Sequence, residues 1–232
     1  MNAITVTLAP TELERQVKTF SAVNNRKNPL TNLWFFDSPK TEKRLSIATD
    51  PLFMHVVLLE GDQSVIGYAV KDANAAGHED DLLPSLRVYY QDKRVQWWDV
   101  KWSDRAGRSD DAAALSKRHR AMEESAYASG ATFHVKTEKD LRGNEILFDN
   151  WLNLCASITR CRSVSIAREA VAIKNAFLSA ASLRYADLVA LPETDPAHIF
   201  ALVAQALQRG DLRADLENEL FGPQTVLRRA YA

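Results

Sequence analysis

Asp99-Val100-Lys101 ends the run Val95-Gln96-Trp97-Trp98-Asp99-Val100-Lys101, whose aromatic and β-branched residues favour a strand. Side chains two apart on a strand point to the same face, so the Asp99 carboxylate and the Lys101 ammonium share one side. That pairing suits phosphodiester hydrolysis. A divalent cation held by Asp99 and the backbone carbonyl of Val100 would polarise a phosphoryl oxygen and supply hydroxide near neutral pH. Mg²⁺, or Mn²⁺, prefers hard oxygen donors of this kind, with one or two carboxylates plus water. Lys101 would orient the attacking water and stabilise charge developing at phosphorus. The same triplet also arises by chance, as a solvated ion pair on a sheet surface.

The elements that must position this pair can be read from the surrounding pattern. Leu83 to Tyr90 is expected to form a strand joined to the Asp99 strand by the tight turn Gln91-Asp92-Lys93-Arg94. Leu33–Phe36 and Arg44–Ala48 read as short strands, and Asp50-Pro51 opens a helix running through Leu59. Ser64–Lys71 is another strand, followed by an acidic loop from Asp72 to Asp81. A long helix from Asp110 or Asp111 to about Ser129 is closed by Gly130, with Leu115, Met122 and Ala126 on one stripe, and a strand follows from Thr132 to Val135. An earlier helical pattern covers Thr11–Ala22. Together these elements give a mixed sheet with helices packed on it.

From Asn144 onward the chain reads as helical. Leu147, Trp151, Leu154 and Ile158 form one stripe; Ile166, Ala170, Ile173, Phe177 and Ala180 form a second. A short helix over Leu183–Leu191, a further one over Ala197–Gln208, and two possible strands in the tail suggest a small helix-turn-helix or winged-helix unit. The expected division is an α/β domain over 1–160 and a helical domain over 161–232, with the boundary near 160–164.

Bulk properties narrow the functional classes. The 232 residues are 46% hydrophobic and 25% charged with a net charge of -1, so no global basic field draws the chain to nucleic acid. DNA affinity would have to come from local patches or a partner. Cys155 and Cys161 show no zinc-ligand spacing, and a two-cysteine chain without a signal peptide reads as reduced and cytoplasmic. No apolar stretch has the length of a membrane span.

Three segments carry a resemblance: SPKTEKRLSIATDPLFMHVVLLEGDQSVIGYAV, LPSLRVYYQDKRVQWWDVKW and GATFHVKTEKDLRGNEILFDNWLNL. Over about residues 31–158 the chain resembles the N-terminal domain of TnsA-type transposon endonucleases, proteins of the PD-(D/E)xK restriction-endonuclease-like fold. The segment that follows resembles their winged-helix-like C-terminal domain. The resemblance implies a cytoplasmic, Mg²⁺- or Mn²⁺-dependent endonuclease that nicks DNA at transposon 5′ ends. Its implied partners are transposon-end DNA, a DDE-type transposase and an AAA-type ATPase, with no membrane role. It places the acid-x-Lys pair on Asp99 and Lys101. It also marks two departures. The metal-binding aspartate of the Pro-Asp pair falls on Ser85, and the glutamate of the early helix falls near Leu52. Glu42, Asp50, Asp80 and Asp81 are the acids that stand near enough in sequence to substitute, with Asp81 taken as a further metal ligand. The departures leave three readings open: a working nuclease with a relocated acid, an inactive DNA-binding or scaffold subunit bridging DNA and transposase, and a regulatory DNA-binding protein.

The run Lys117-Arg118-His119-Arg120 on the long helix, with Arg105 and Arg108 before it, would contact DNA phosphates beside the site; a solvated helix face is the alternative. Of the tryptophans, Trp97 is expected on the Asp99 face, while Trp98 and Trp102 face the other way. In the C-terminal segment, Arg184 would enter a DNA groove from the short helix, and Arg209, Arg213, Arg228 and Arg229 would meet phosphates or a partner protein.

Overall fold

The structure is a computed structural model that describes residues 32–71, 82–103 and 109–230; side chains of the helix beginning at Ser109 are described from Leu115 onward. Strands β1 (Leu33–Asp37) and β2 (Arg44–Ala48) form an antiparallel ribbon, and helix α1 (Asp50–Gly61) follows directly. Pro51 sits in the first turn of α1, where its missing N–H costs nothing. Strands β3 (Val65–Val70), β4 (Leu86–Tyr90), β5 (Val95–Lys101) and β6 (Thr132–Thr137) make one sheet in that order. The first three pair antiparallel; β5 and β6 run parallel, with helix α2 (Ser109–Ala128) in the crossover. The protein is therefore α/β, with a mixed four-stranded sheet flanked by helices. The expected Thr11–Ala22 helix and the loop over 72–81 lie outside the described residues.

The pleat of β5 separates two cores. Trp98 and Val100 point into the larger one with Leu52, Val56, Leu86, Val88 and Trp151; Trp97 points to the other face, against Ala126 of α2 and Ala131. Helix α3 (Glu145–Arg160) carries Trp151, Leu154 and Ile158 inward, as the sequence periodicity implies. Trp151 lies so close to α1 that a Cβ on Gly61 would stand 2.1 Å from the indole, so glycine is required there.

The C-terminal part contains α4 (Ala167–Ser179), β7 (Ser182–Arg184), α5 (Tyr185–Val189), α6 (Pro196–Arg209), β8 (Leu212–Arg213) and β9 (Val226–Arg229). The three strands form a small sheet in the order β7-β9-β8. Asp195 caps α6 by accepting from the Ala197 N–H, and Gly210 at φ 81 ends it in the left-handed conformation that suits glycine. The segment read as one helix over Leu183–Leu191 is instead a strand followed by a five-residue helix. Pairing of Leu183 with Leu227 overrides the local helical pattern.

Polar side chains lock α3 and α6 to their surroundings. Buried Asn150 donates to the carbonyls of Leu216 (2.9 Å) and Glu219 (2.8 Å) and accepts from the Phe221 N–H (2.7 Å), fixing the long β8–β9 connection. Glu60, fully buried at the end of α1, accepts from Ser38 Oγ, Tyr68 Oη, the Lys40 N–H and Gln208 Nε2 of α6. The Lys40 ammonium donates to the carbonyls of Leu59, Asp62 and Val65, closing the C-terminal end of α1.

Candidate functional site

Asp99 and Lys101 leave β5 on one face, as the strand period requires, and α2 covers that face. Asp99 is 4% exposed, which excludes the solvated surface pair. An ionised carboxylate at that depth requires hydrogen bonds or opposite charge around it. His119 Nε2 lies 3.0 Å from Oδ2. Arg118 Nη2 lies 3.7 Å from Oδ1, and Ser85 Oγ donates to the same oxygen at 3.3 Å. Ser85 in turn accepts the Val100 N–H at 3.2 Å. Lys101 Nζ reaches His119 Nε2 at 3.2 Å. That ring nitrogen faces both groups: it donates to Asp99 when protonated and accepts from Lys101 when bare. Burial lowers the Lys101 pKa; Asp99 opposes that shift and Arg118 adds to it.

Each position has a local cause. Ser85 stands immediately before Leu86, whose partner across the hairpin is Trp98, so Ser85 lies alongside Asp99. His119 occupies the inward stripe of α2, four residues after Leu115 and three before fully buried Met122. Its ring packs on Phe133 of β6 with centroids 5.7 Å apart. Beyond Lys101, Glu138 accepts from both the N–H and the hydroxyl of Ser103, tying the end of β5 to the turn after β6.

The structure thus brings together Asp99, Lys101, Ser85 and Arg118 from the sequence reading, and adds His119. Helical spacing would have found it, because 115, 119, 122 and 126 fall on one face. Lys117 and Arg120 are exposed on α2. Leu52 is buried in the core on the Trp98 face of the sheet, away from Asp99. Asp50 accepts from Asn32 Nδ2 and Trp34 Nε1, both at 2.9 Å, and is committed to holding β1 on α1. Glu42 lies in the β1–β2 turn with φ 56. Asp80, Asp81, Arg105 and Arg108 lie outside the described residues.

A magnesium or manganese ion would draw on Asp99 and the Val100 carbonyl. The donor set around that carboxylate does not fit. One Asp99 oxygen faces a guanidinium and a hydroxyl donor, the other an imidazole, and the side chain beside it on β4's edge, Ser85, adds no negative charge. Among the described residues no group of three or more His, Cys, Asp or Glu side chains could hold a metal ion.

In the C-terminal part Arg184 is not on a groove-reading helix. It ends β7, and its guanidinium is paired with Asp187 at 3.0 Å. Arg209 pairs with Asp211 at 2.8 Å. Arg213 and Arg228 stand directly opposite one another on β8 and β9. Helix α6 packs on α3 and α1, and none of its residues from His198 to Gln208 is exposed. Among the described residues no helix is long and apolar enough to cross a membrane. Comparison with protein-family models, curated proteins and solved structures finds no match to this chain.

Proposed function

We propose that this chain is a TnsA-like, restriction-endonuclease-like subunit of a heteromeric transposase whose cleavage site has degenerated. It would act in transposition as a DNA-binding and assembly subunit between transposon ends, a DDE-type transposase and an AAA-type ATPase. The observation that carries this reading is the acid-x-Lys pair at the end of a central strand, with Ser85 beside it where a second acid is needed. The mixed sheet flanked by helices agrees with the nuclease-like fold that the resemblance implies. Helices α4 to α6 with a three-stranded sheet and a long β8–β9 connection support a winged-helix-like C-terminal domain. The position of Arg184 at the end of β7, paired with Asp187, weighs against a stand-alone regulator that reads DNA with Arg184 on a helix.

A working endonuclease needs a further carboxylate that the described residues do not supply. The test is a labelled transposon-end duplex incubated with the full chain, the DDE transposase and Mg²⁺ or Mn²⁺. The expected result is retention of duplex and transposase without nicking by this chain. Nicking that disappears in Asp99→Ala, or association with neither duplex nor transposase, overturns the proposal.

A further inference from the structure

The register of β7, β9 and β8 sorts their side chains onto two faces. Leu183, Leu227 and Leu212 point inward, and Leu227 is fully buried. Across the outer face stand Arg184 of β7, Arg228 of β9 and Arg213 of β8, with Val226 beside them, 41% exposed. Arg213 and Arg228 are a directly opposed like-charge pair, an arrangement that weakens a sheet when no counter-charge is supplied. Arg184 has its counter-charge in Asp187. Among the described residues neither Arg213 nor Arg228 forms an ion pair. A cavity of about 460 Å³ is lined by both arginines, Ala214, Val226, Asp215 and Glu219. It sets a cationic wall, β8 and β9, against an acidic one, the connection between them. Asp215 is committed within that connection, because its carboxylate accepts from the N–H and the side-chain amide of Asn218.

We infer that this face docks a mixed-charge segment of a partner protein, with acidic side chains for the arginine pair and an apolar one for the cavity. The guanidiniums of Arg213 and Arg228 present forks of donors that match carboxylates bidentately. An apolar side chain between the acids covers Val226 and Ala214, and an amide or ammonium meets Glu219. The same lining disfavours a nucleic-acid backbone. A phosphodiester chain carries a negative charge at every step. Here the two carboxylates balance the two guanidiniums, so the walls hold no net positive charge for it. A peptide can set donors opposite Asp215 and Glu219; a phosphate chain cannot. The place of such a segment in a transposition assembly rests on the proposed function, whereas the surface itself rests on register and charge.

The test uses the full chain and a labelled peptide of repeated Glu-Leu-Glu-Lys units, followed by fluorescence anisotropy. The parent should bind it, and more weakly as salt rises. Replacing Glu by Gln throughout the peptide, or Arg213→Ser with Arg228→Ser in the chain, should weaken binding about tenfold, and Glu219→Gln about two- to threefold. All three side chains are exposed, so the variants should melt with the parent. A duplex of random sequence at the same ionic strength should not displace the peptide. Displacement by duplex assigns the face to nucleic acid. Self-association in sedimentation that the double variant abolishes assigns it to a second copy. Either result overturns the inference, as does a parent that ignores the peptide, a Gln peptide that binds like the Glu one, or a double variant within about twofold of the parent. A chain that retains duplex and transposase but ignores the peptide loses this surface and keeps its proposed function. A chain that binds the peptide through these arginines but neither duplex nor transposase keeps the surface and loses the function.

Discussion

Glu60→Ala is expected to lower the unfolding free energy by about 3–5 kcal/mol, the range seen when one partner is removed from a buried, charge-linked network. The side chain is fully buried and accepts four hydrogen bonds: Ser38 Oγ and Tyr68 Oη at 2.5 Å, the Lys40 N–H at 2.9 Å and Gln208 Nε2 at 2.8 Å. Alanine removes the acceptor of Ser38, of the Lys40 N–H and of Gln208, while Tyr68 Oη keeps Ser38 Oγ at 2.9 Å, and it leaves the half-buried Lys40 ammonium without its nearby negative charge. Urea unfolding at neutral pH checks the loss, and a change below about 1 kcal/mol would contradict the network's role. Glu60→Gln should be milder, because an amide preserves two acceptor sites and the hydroxyls of Ser38 and Tyr68 can turn to accept.

The pH dependence of that comparison has a definite sign. Burial raises the Glu60 carboxyl above its ordinary value of 4.5, while the bonds from Ser38, Tyr68 and Lys40 pull it back. A raised folded-state value means that the native state holds the proton more tightly than the unfolded chain. The contribution is fully present below the ordinary carboxylate value and is lost as pH rises through the folded one. The stability gap between the parent and Glu60→Gln should therefore narrow from acid to neutral pH.

Phe53→Ala is expected to cost about 3–5 kcal/mol, the usual range for truncating a buried phenylalanine to alanine. Phe53, 5% exposed on α1, stacks on Trp34 at 4.5 Å and 6°. Its edge contacts reach Phe36 and Phe148, each at 5.9 Å. One ring thus joins the β1–β2 ribbon, α1 and α3, and its loss leaves a cavity that rigid aromatic neighbours fill poorly. Thermal unfolding should show the loss together with increased exposure of Trp34 fluorescence. A variant that melts with the parent would mean that the ribbon is not anchored through this residue.

Much of the fold was legible because periodicity and turn chemistry act locally. The Gln91-Asp92-Lys93-Arg94 turn joins β4 to β5 with Lys93 at φ 68, and the Trp97/Trp98 alternation divides the two faces of the sheet as the strand period requires. The pairing of Asp99 with Lys101 on one face followed from the same rule. What was not legible depends on long-range placement. Helical spacing sets His119 on the inward stripe with Leu115, Met122 and Ala126, but that this stripe meets Asp99 depends on the docking of α2 on β5 and β6. Arg184 read as helical because the strand it ends exists only through its pairing with β9. Glu60, in the run Leu58-Leu59-Glu60-Gly61, carries no sequence sign that Tyr68, Ser38 and Gln208 converge on it.

The account turns on whether Asp99 serves cations of the protein or a cation from solution. Mn²⁺ binding to the full chain, followed by electron paramagnetic resonance in the parent and in Asp99→Asn, distinguishes the two. The account predicts the same Mn²⁺ isotherm for both proteins. A one-to-one Mn²⁺ site in the parent that vanishes in Asp99→Asn would contradict it.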